Sequence, residues 1–107
     1  MTLEDLVQEV TEWHYQEYGT KTMDKPIGNK LREEACEFRD EVCLENKERA
    51  KVEAADCLIL LCAWAGRNGI DLIAEARKKF DIVRNRNQRQ RDIERGIIHE
   101  AAGASNG

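Results

Sequence analysis

The feature that most constrains the fold is one apolar run, Ala54 to Gly66, which is interrupted only by Asp56. The run shows no strand-like alternation, and it is too short and too polar at Asp56 to span a bilayer. We therefore predict a central helix from about Lys47 to Asn68, with Gly69 as its C-terminal stop. A chain of 107 residues allows one domain with a modest core.

Three further segments repeat apolar residues at helical spacing, and none alternates like a strand. They predict helices from about Leu3 to Glu17, Asn29 to Leu44 and Asp71 to Arg86, with a loop from Tyr18 to Asn29. Thr2 and Asp5 indicate an N-cap, and Asn46 is a candidate cap for the central helix. The predicted fold is all-α: an antiparallel bundle of about four helices in one domain, 1–100, with a flexible tail, 101–107. The predicted buried stripes are Leu3, Leu6, Val7, Val10, Trp13 and His14; Leu31, Ala35, Phe38 and Val42; and Leu72, Ile73, Ala76, Phe80 and Val83.

The cysteines and the charge pattern bear on location and partners. Cys36, Cys43, Cys57 and Cys62 form no CxxC pair, so we interpret them as small buried residues of a cytoplasmic protein. Residues 1–76 carry 9 basic and 17 acidic side chains, whereas residues 77–107 carry 8 and 4. Such an asymmetry suits a site for cations and a polyphosphate, a nucleic-acid contact through the basic part, or simply two solvated helix faces.

Two carboxylate pairs have the spacing of neighbours on a helix. Glu53 and Asp56 are three residues apart on the central helix, and Glu34 and Glu37 are three apart on the preceding one. If the two helices pack antiparallel, the pairs can converge, and oxygen ligands of this kind suit Mg²⁺ or Mn²⁺. The alternatives are that the glutamates lie on the surface and that Asp56 pairs with a basic side chain such as Lys79.

The order LREEACEF, then EAAD, resembles the ExxE and ExxD signature of the MazG-like all-α nucleoside triphosphate pyrophosphohydrolases. Fifteen residues separate Glu37 from Glu53. The following segments CLILLCAWAGRNGIDL and KKFDIVRNR also resemble that family, and RGIIHE resembles a phage and bacterial branch with enzymes thought to act on dATP and dGTP. The chain departs from the family pattern at Val83, where many relatives have asparagine, and at Asn87 and Gln88, where tryptophan is frequent.

The resemblance implies a role for each matching residue. Mg²⁺ would be bound by Glu34, Glu37, Glu53 and Asp56, and Glu33 would orient water or support the ligands, so that Glu33, Glu34 and Glu37 are the candidate catalytic residues. The triphosphate would be contacted by Lys79 and Arg86, with Lys78 as a further candidate. Trp13 and His14 either stack on the nucleobase or belong to the core and the helix interface.

We therefore expect Mg²⁺-dependent hydrolysis of a ribo- or deoxynucleoside triphosphate to the monophosphate and pyrophosphate. The resemblance also implies a homodimer or a dimer of dimers, which would cover the apolar central helix. An alternative is a non-catalytic module that binds nucleic acid through the basic segment Arg77–Arg95, although this leaves the carboxylates unexplained. Further alternatives are a catalytically inactive relative and a related phosphohydrolase that acts on phosphoribosyl-ATP.

Overall fold

The computed structural model describes residues 1–96, which contain four helices and no strand. The helices are α1 (Leu3–Tyr18), α2 (Asp24–Cys43), α3 (Lys47–Arg67) and α4 (Leu72–Glu94). The predicted all-α fold class is thus confirmed. The predicted tail, 101–107, and the RGIIHE motif beyond Gly96 lie outside the described residues. The chain divides into two compact units, Met1–Leu72 and a second unit that begins at Ile73.

Local capping fixes the starts of α1 and α3 as the sequence predicts. The Thr2 hydroxyl accepts from the backbone N–H of Asp5 at 3.1 Å, and the Asp5 carboxylate accepts from the Thr2 N–H at 3.0 Å. The Asn46 side chain accepts from the Arg49 N–H at 3.2 Å. These bonds satisfy backbone donors that a helix start otherwise leaves unpaired.

The start of α2 differs from the prediction. The helix begins at Asp24 rather than at about Asn29, so the connection from α1 is shorter than the predicted loop. Pro26 lies within the first turn, where the missing N–H would have no helical partner and the fixed φ suits the helix. The extra turn brings Ile27, only 4% exposed, into the core.

Helices α2 and α3 form the predicted antiparallel pair. The Asn68 side chain, just after α3, donates to the Asp24 carboxylate at the start of α2 at 2.9 Å. At the other end, Arg49 lies 4.0 Å from Glu41. The start of one helix therefore meets the end of the other, which places the middle of α2, with Glu34, beside the middle of α3.

Helix α1 packs on the C-terminal half of α3 through a small core. Val10, Ile27, Cys62 and Ala63 form its buried centre. The two helices lie close together at Gly66, where an added Cβ would overlap the Thr11 hydroxyl oxygen and lie 2.8 Å from the Thr11 Cβ. The Leu60 and Trp64 side chains pack against this core, so α3 is the central helix of the first unit, as predicted.

Several residues that the sequence predicted as buried are exposed. On α2, Phe38 is 39% and Val42 is 50% exposed, because Ile27 and Glu34 are the side chains that face inward. Trp13 of α1 is 49% exposed and does not belong to the core. All four cysteines are free, but only Cys62 is buried, while Cys36 and Cys43 are exposed. The prediction of four small buried thiols is therefore wrong.

The second unit, as far as residue 96, consists of α4 and the turn after it. The helix runs to Glu94 instead of about Arg86, and none of its residues is buried. The predicted stripe on this helix is not covered, since Phe80 is 52% exposed. Ion pairs one turn apart support the helix, at 3.1 Å for Lys78–Glu75 and 3.0 Å for Arg84–Asp81. Along residues 1–96, no single helix is long and apolar enough to cross a membrane.

Candidate metal and nucleotide site

Three of the four predicted metal ligands come together between α2 and α3. One carboxylate oxygen from each of Glu34, Glu37 and Glu53 lies within 4.8 Å of the other two. Glu34 and Glu37 share a face of α2 because they are three residues apart, and the antiparallel α3 brings Glu53 opposite them. Glu34 is only 7% exposed, whereas Glu37 is exposed and Glu53 is half-buried. The cluster thus has a buried side and an open side.

Two carboxylate oxygens of this cluster lack a partner. Oε2 of Glu34 and Oε2 of Glu53 are buried and accept no hydrogen bond from any residue in the described range; the same is true of Oε2 of Glu41, further along α2 and outside the cluster. A buried carboxylate oxygen without a donor is costly; a proton shared between the two side chains can compensate for it, and so can a cation that contacts several of these oxygens at once. Hard oxygen ligands on two rigid helices suit Mg²⁺ or Mn²⁺. The residues therefore fit the metal that the sequence predicts.

The carboxylates of this cluster change one another's pKa values. The neighbouring Glu34 carboxylate, burial and the Glu37 carboxylate raise the pKa of Glu53 to about 7. A proton held by Glu53 can be donated to Glu34, and this bond is the main reason that the pKa of Glu34 is lowered. Lys30, 3.4 Å from Glu34, adds to that effect. The metal-free pair therefore holds one proton near neutral pH, as closely spaced carboxylates do.

Asp56, the fourth predicted ligand, stands one turn after Glu53 and outside the three-carboxylate cluster. It lines a cavity of about 270 Å³ together with Glu34 and Lys30. Within the first unit, no basic side chain pairs with Asp56. The carboxylate that breaks the apolar run thus lies on the wall of a cavity beside the cluster.

The other walls of this cavity are aromatic and apolar. Trp13, His14 and Tyr18 of α1 line it, opposite Ile59 and Leu60 of α3. The His14 ring lies 4.6 Å from the Tyr18 ring and 6.1 Å from the Trp13 ring, centroid to centroid. The half-exposed Trp13 and the 6% exposed His14 both belong to the cavity. The cavity therefore contains Trp13 and His14, the two side chains for which the sequence analysis left a contact with a nucleobase open.

The remaining predicted site residues lie elsewhere. The Glu33 side chain is 64% exposed and binds Lys30 at 3.2 Å, so it adjoins the cluster along α2 without joining it. In the second unit, Lys78, Lys79 and Arg86 are exposed positions of α4. Lys78 pairs with Glu75 of the same helix.

Three residues near the cavity were not predicted. Lys30 and Tyr18 line it, and Arg67 contacts His14 at 3.2 Å. Lys30 precedes Glu34 by one helical turn, a spacing that the sequence does show. Arg67 reaches the site only because α1 packs on the end of α3, and no local pattern indicates that contact.

Comparison of the chain with protein-family models, curated proteins and solved structures gave no match. The likeness to MazG-like enzymes thus depends on the motif residues themselves.

Proposed function

We propose that the protein is a Mg²⁺-dependent nucleoside triphosphate pyrophosphohydrolase of MazG-like type that adjusts or cleanses the nucleotide pool. The observation that supports this most strongly is the convergence of Glu34, Glu37 and Glu53 within 4.8 Å. Two of these side chains have buried oxygens with no donor among the described residues. Neither a surface cluster of glutamates nor a nucleic-acid module requires three carboxylates to converge in this way.

In this proposal the carboxylates hold the metal and orient the reactants. Glu34, Glu37 and Glu53 would bind Mg²⁺, and Asp56, which lies outside the three-carboxylate cluster, would be a further ligand from the adjacent turn of α3. Bound Mg²⁺ supplies charge neutralisation at the phosphates and a water of lowered pKa. A carboxylate of this chain, with Glu33, Glu34 and Glu37 as candidates, would accept the proton of the water that attacks the α-phosphorus. The bond between the α-phosphorus and the oxygen that bridges to the β-phosphorus would break, and pyrophosphate would leave with that oxygen.

The cationic side chains have a separate role in the proposal. Lys79 and Arg86, with Lys78, would bind the triphosphate and stabilise the charge that develops on pyrophosphate. Lys30 lies at the cavity and is already held by Glu34, so it is a further candidate for a phosphate contact. Trp13 and His14 would bind the nucleobase in the adjacent cavity.

We also propose that the active form is a homodimer or a dimer of dimers. Phe38, Val42 and Val52, on α2 and α3, are 39%, 50% and 53% exposed in the single chain. Contiguous exposed apolar side chains commonly mark an interface, and Phe38 and Val42 are neighbours one turn apart on α2. Light scattering on the purified protein tests the assembly, and a mass of one 12.3 kDa chain at micromolar concentration would contradict it.

The test of function is hydrolysis of each common ribo- and deoxynucleoside triphosphate, with Mg²⁺ or with EDTA, and with separation of the products. We expect monophosphate and pyrophosphate only when Mg²⁺ is present. Glu34→Gln, Glu53→Gln and Asp56→Ala should each lose the activity. Glu48→Gln is the matched control, because Glu48 lies on the same helix as Glu53 and its side chain is 82% exposed.

A folded protein that hydrolyses none of these nucleotides would contradict the proposal. The alternative, nucleic-acid binding through Arg77–Arg95, would instead show as retention of single- or double-stranded oligonucleotides. That retention would weaken steeply with salt and would be unchanged by Glu53→Gln.

A further inference from the structure

The Arg67 side chain, at the end of α3, connects three segments of the first unit. Its Nη1 lies 3.2 Å from Nδ1 of His14 on α1. Its Nη2 donates to the backbone carbonyls of Gly19 at 2.9 Å and Lys21 at 2.6 Å, in the connection to α2. The guanidinium also lies 4.3 Å from the centre of the Tyr15 ring. Arg67 therefore holds in place the wall that α1 contributes to the cavity beside the carboxylate cluster.

The Arg67 contact determines the protonation of the His14 ring. A guanidinium only donates hydrogen bonds, so Nδ1 of His14 must accept. An imidazolium has no acceptor nitrogen, and burial together with the Arg67 charge lowers the pKa of His14. The ring is thus neutral, with its proton on Nε2.

Within residues 1–96, the hydrogen-bond contact of the His14 ring is that of Nδ1 with Arg67, which leaves Nε2–H available to donate to a ligand. The ring lines the cavity of about 270 Å³ together with Trp13 and Tyr18. Pockets for complete drug-sized ligands measure about 300–1,000 Å³, so this cavity suits one planar heterocycle. The structure offers that heterocycle two aromatic neighbours and one fixed donor.

We propose that Arg67 is a positioning residue for nucleobase recognition: it fixes His14 so that Nε2–H donates to an acceptor on the edge of a base held by Trp13 and Tyr18. The proposal deepens the function proposed above and depends on it for the nucleotide character of the ligand. Arg67 itself does not touch the base. Its effect is transmitted through the orientation and the tautomer of the imidazole.

The tautomer can be measured without any substrate. In ¹⁵N-labelled wild-type protein, two-bond ¹H–¹⁵N correlation spectra distinguish the protonated ring nitrogen from the bare one. We expect His14 to be neutral and protonated at Nε2. A ring protonated at Nδ1, or an imidazolium near neutral pH, would overturn the proposal.

Base binding can be measured without metal or hydrolysis. Titration with deoxyadenosine, deoxyguanosine, deoxycytidine and thymidine should shift the resonances of Trp13, His14 and Tyr18 for the preferred base. The His14→Phe variant keeps a ring in the wall and removes the donor. It should weaken binding of the preferred base about tenfold and reduce the differences in affinity among the four nucleosides. Equal shifts for wild type and variant would contradict the role of His14.

A double-mutant cycle separates positioning from general structural support. Arg67→Gln can both donate to Nδ1 and accept from it, so the tautomer is no longer fixed, whereas Arg67→Lys offers only donors. We expect Arg67→Gln to reduce discrimination between bases about tenfold, with Arg67→Lys closer to wild type. In the His14→Phe background, Arg67→Gln should have no further effect on discrimination. An equal loss for all bases would indicate only structural support.

Arg39→Gln is the matched control, because the Arg39 side chain is 70% exposed and pairs with its neighbour Asp40. The two proposals fail in different ways. Metal-dependent hydrolysis with base preference unchanged in His14→Phe would leave the function standing and reject the base contact. Selective nucleoside binding without any hydrolysis would reject the function and leave the base contact standing.

Discussion

The proton held between Glu34 and Glu53 makes metal binding dependent on pH. The pKa of Glu53 is raised to about 7 in the metal-free protein, so roughly nine-tenths of these groups are protonated at about pH 6 and one-tenth at about pH 8. A carboxylate binds a metal only after losing its proton. The apparent affinity for Mg²⁺ should therefore be roughly tenfold weaker at about pH 6 than at about pH 8.

Isothermal titration calorimetry measures both quantities that this reasoning requires. Titrations of Mg²⁺ at the two pH values give the affinities. Titrations in two buffers with different protonation enthalpies give the number of protons released, which should be close to one per bound metal at about pH 6. Mn²⁺ should show the same pH dependence, because it displaces the same proton.

Two variants separate Glu53 from the other titrating groups. Glu53→Gln should bind Mg²⁺ more weakly and release no proton, since the amide does not titrate. Glu48→Gln, a change on the exposed face of α3, should behave like wild type. Equal wild-type affinity at both pH values, without proton release, would refute the assignment of Glu53 as a protonated ligand.

Three further predictions concern stability and the cavity. Without metal, the stability that a protonated Glu53 contributes is complete below pH 4.5 and is lost as the pH rises through about 7. Urea unfolding at a series of pH values should show this decline in the free energy of unfolding. A wild-type free energy as independent of pH as that of Glu53→Gln would contradict the prediction. Gly66→Ala forces a Cβ to 2.8 Å from the Thr11 Cβ and should lower the free energy of unfolding by about 1–3 kcal/mol. Gly28→Ala is its control, because nothing lies within 4 Å of the new Cβ; equal effects of the two substitutions would refute the close approach of α1 and α3. Trp13→Ala should raise KM for the preferred nucleotide roughly fivefold or more by loss of stacking, and steady-state kinetics with an unchanged KM would exclude the stacking role.

The carboxylate cluster could be predicted because it depends on local rules. Spacing of three residues places Glu34 beside Glu37 on one helix, and a short connection predicts an antiparallel neighbour that carries Glu53. The helix period alone could not decide whether Asp56 joins the cluster, since a small rotation of α3 separates adjacent turns. The structure leaves Asp56 on the cavity wall.

The contacts around His14 could not be predicted in the same way. Arg67 and His14 are 53 residues apart in the chain, and they meet only because Gly66 allows α1 to approach α3 closely. The early start of α2 was missed for a different reason. Pro26 falls in the predicted loop from Tyr18 to Asn29, but the first turn of a helix accepts proline equally well.

The pattern of burial on α2 differs from the pattern that packing alone would favour. Phe38 and Val42 are apolar and partly exposed, whereas Glu34 is buried against α3. A helix selected only for packing would show the reverse order, because burying a carboxylate costs free energy, here with one oxygen still lacking a donor, and burying a large apolar side chain gains it. The exposed apolar side chains are accounted for if a second copy covers them. The buried carboxylate is accounted for if a cation completes it, so the two departures from ordinary packing support the two parts of the proposal independently.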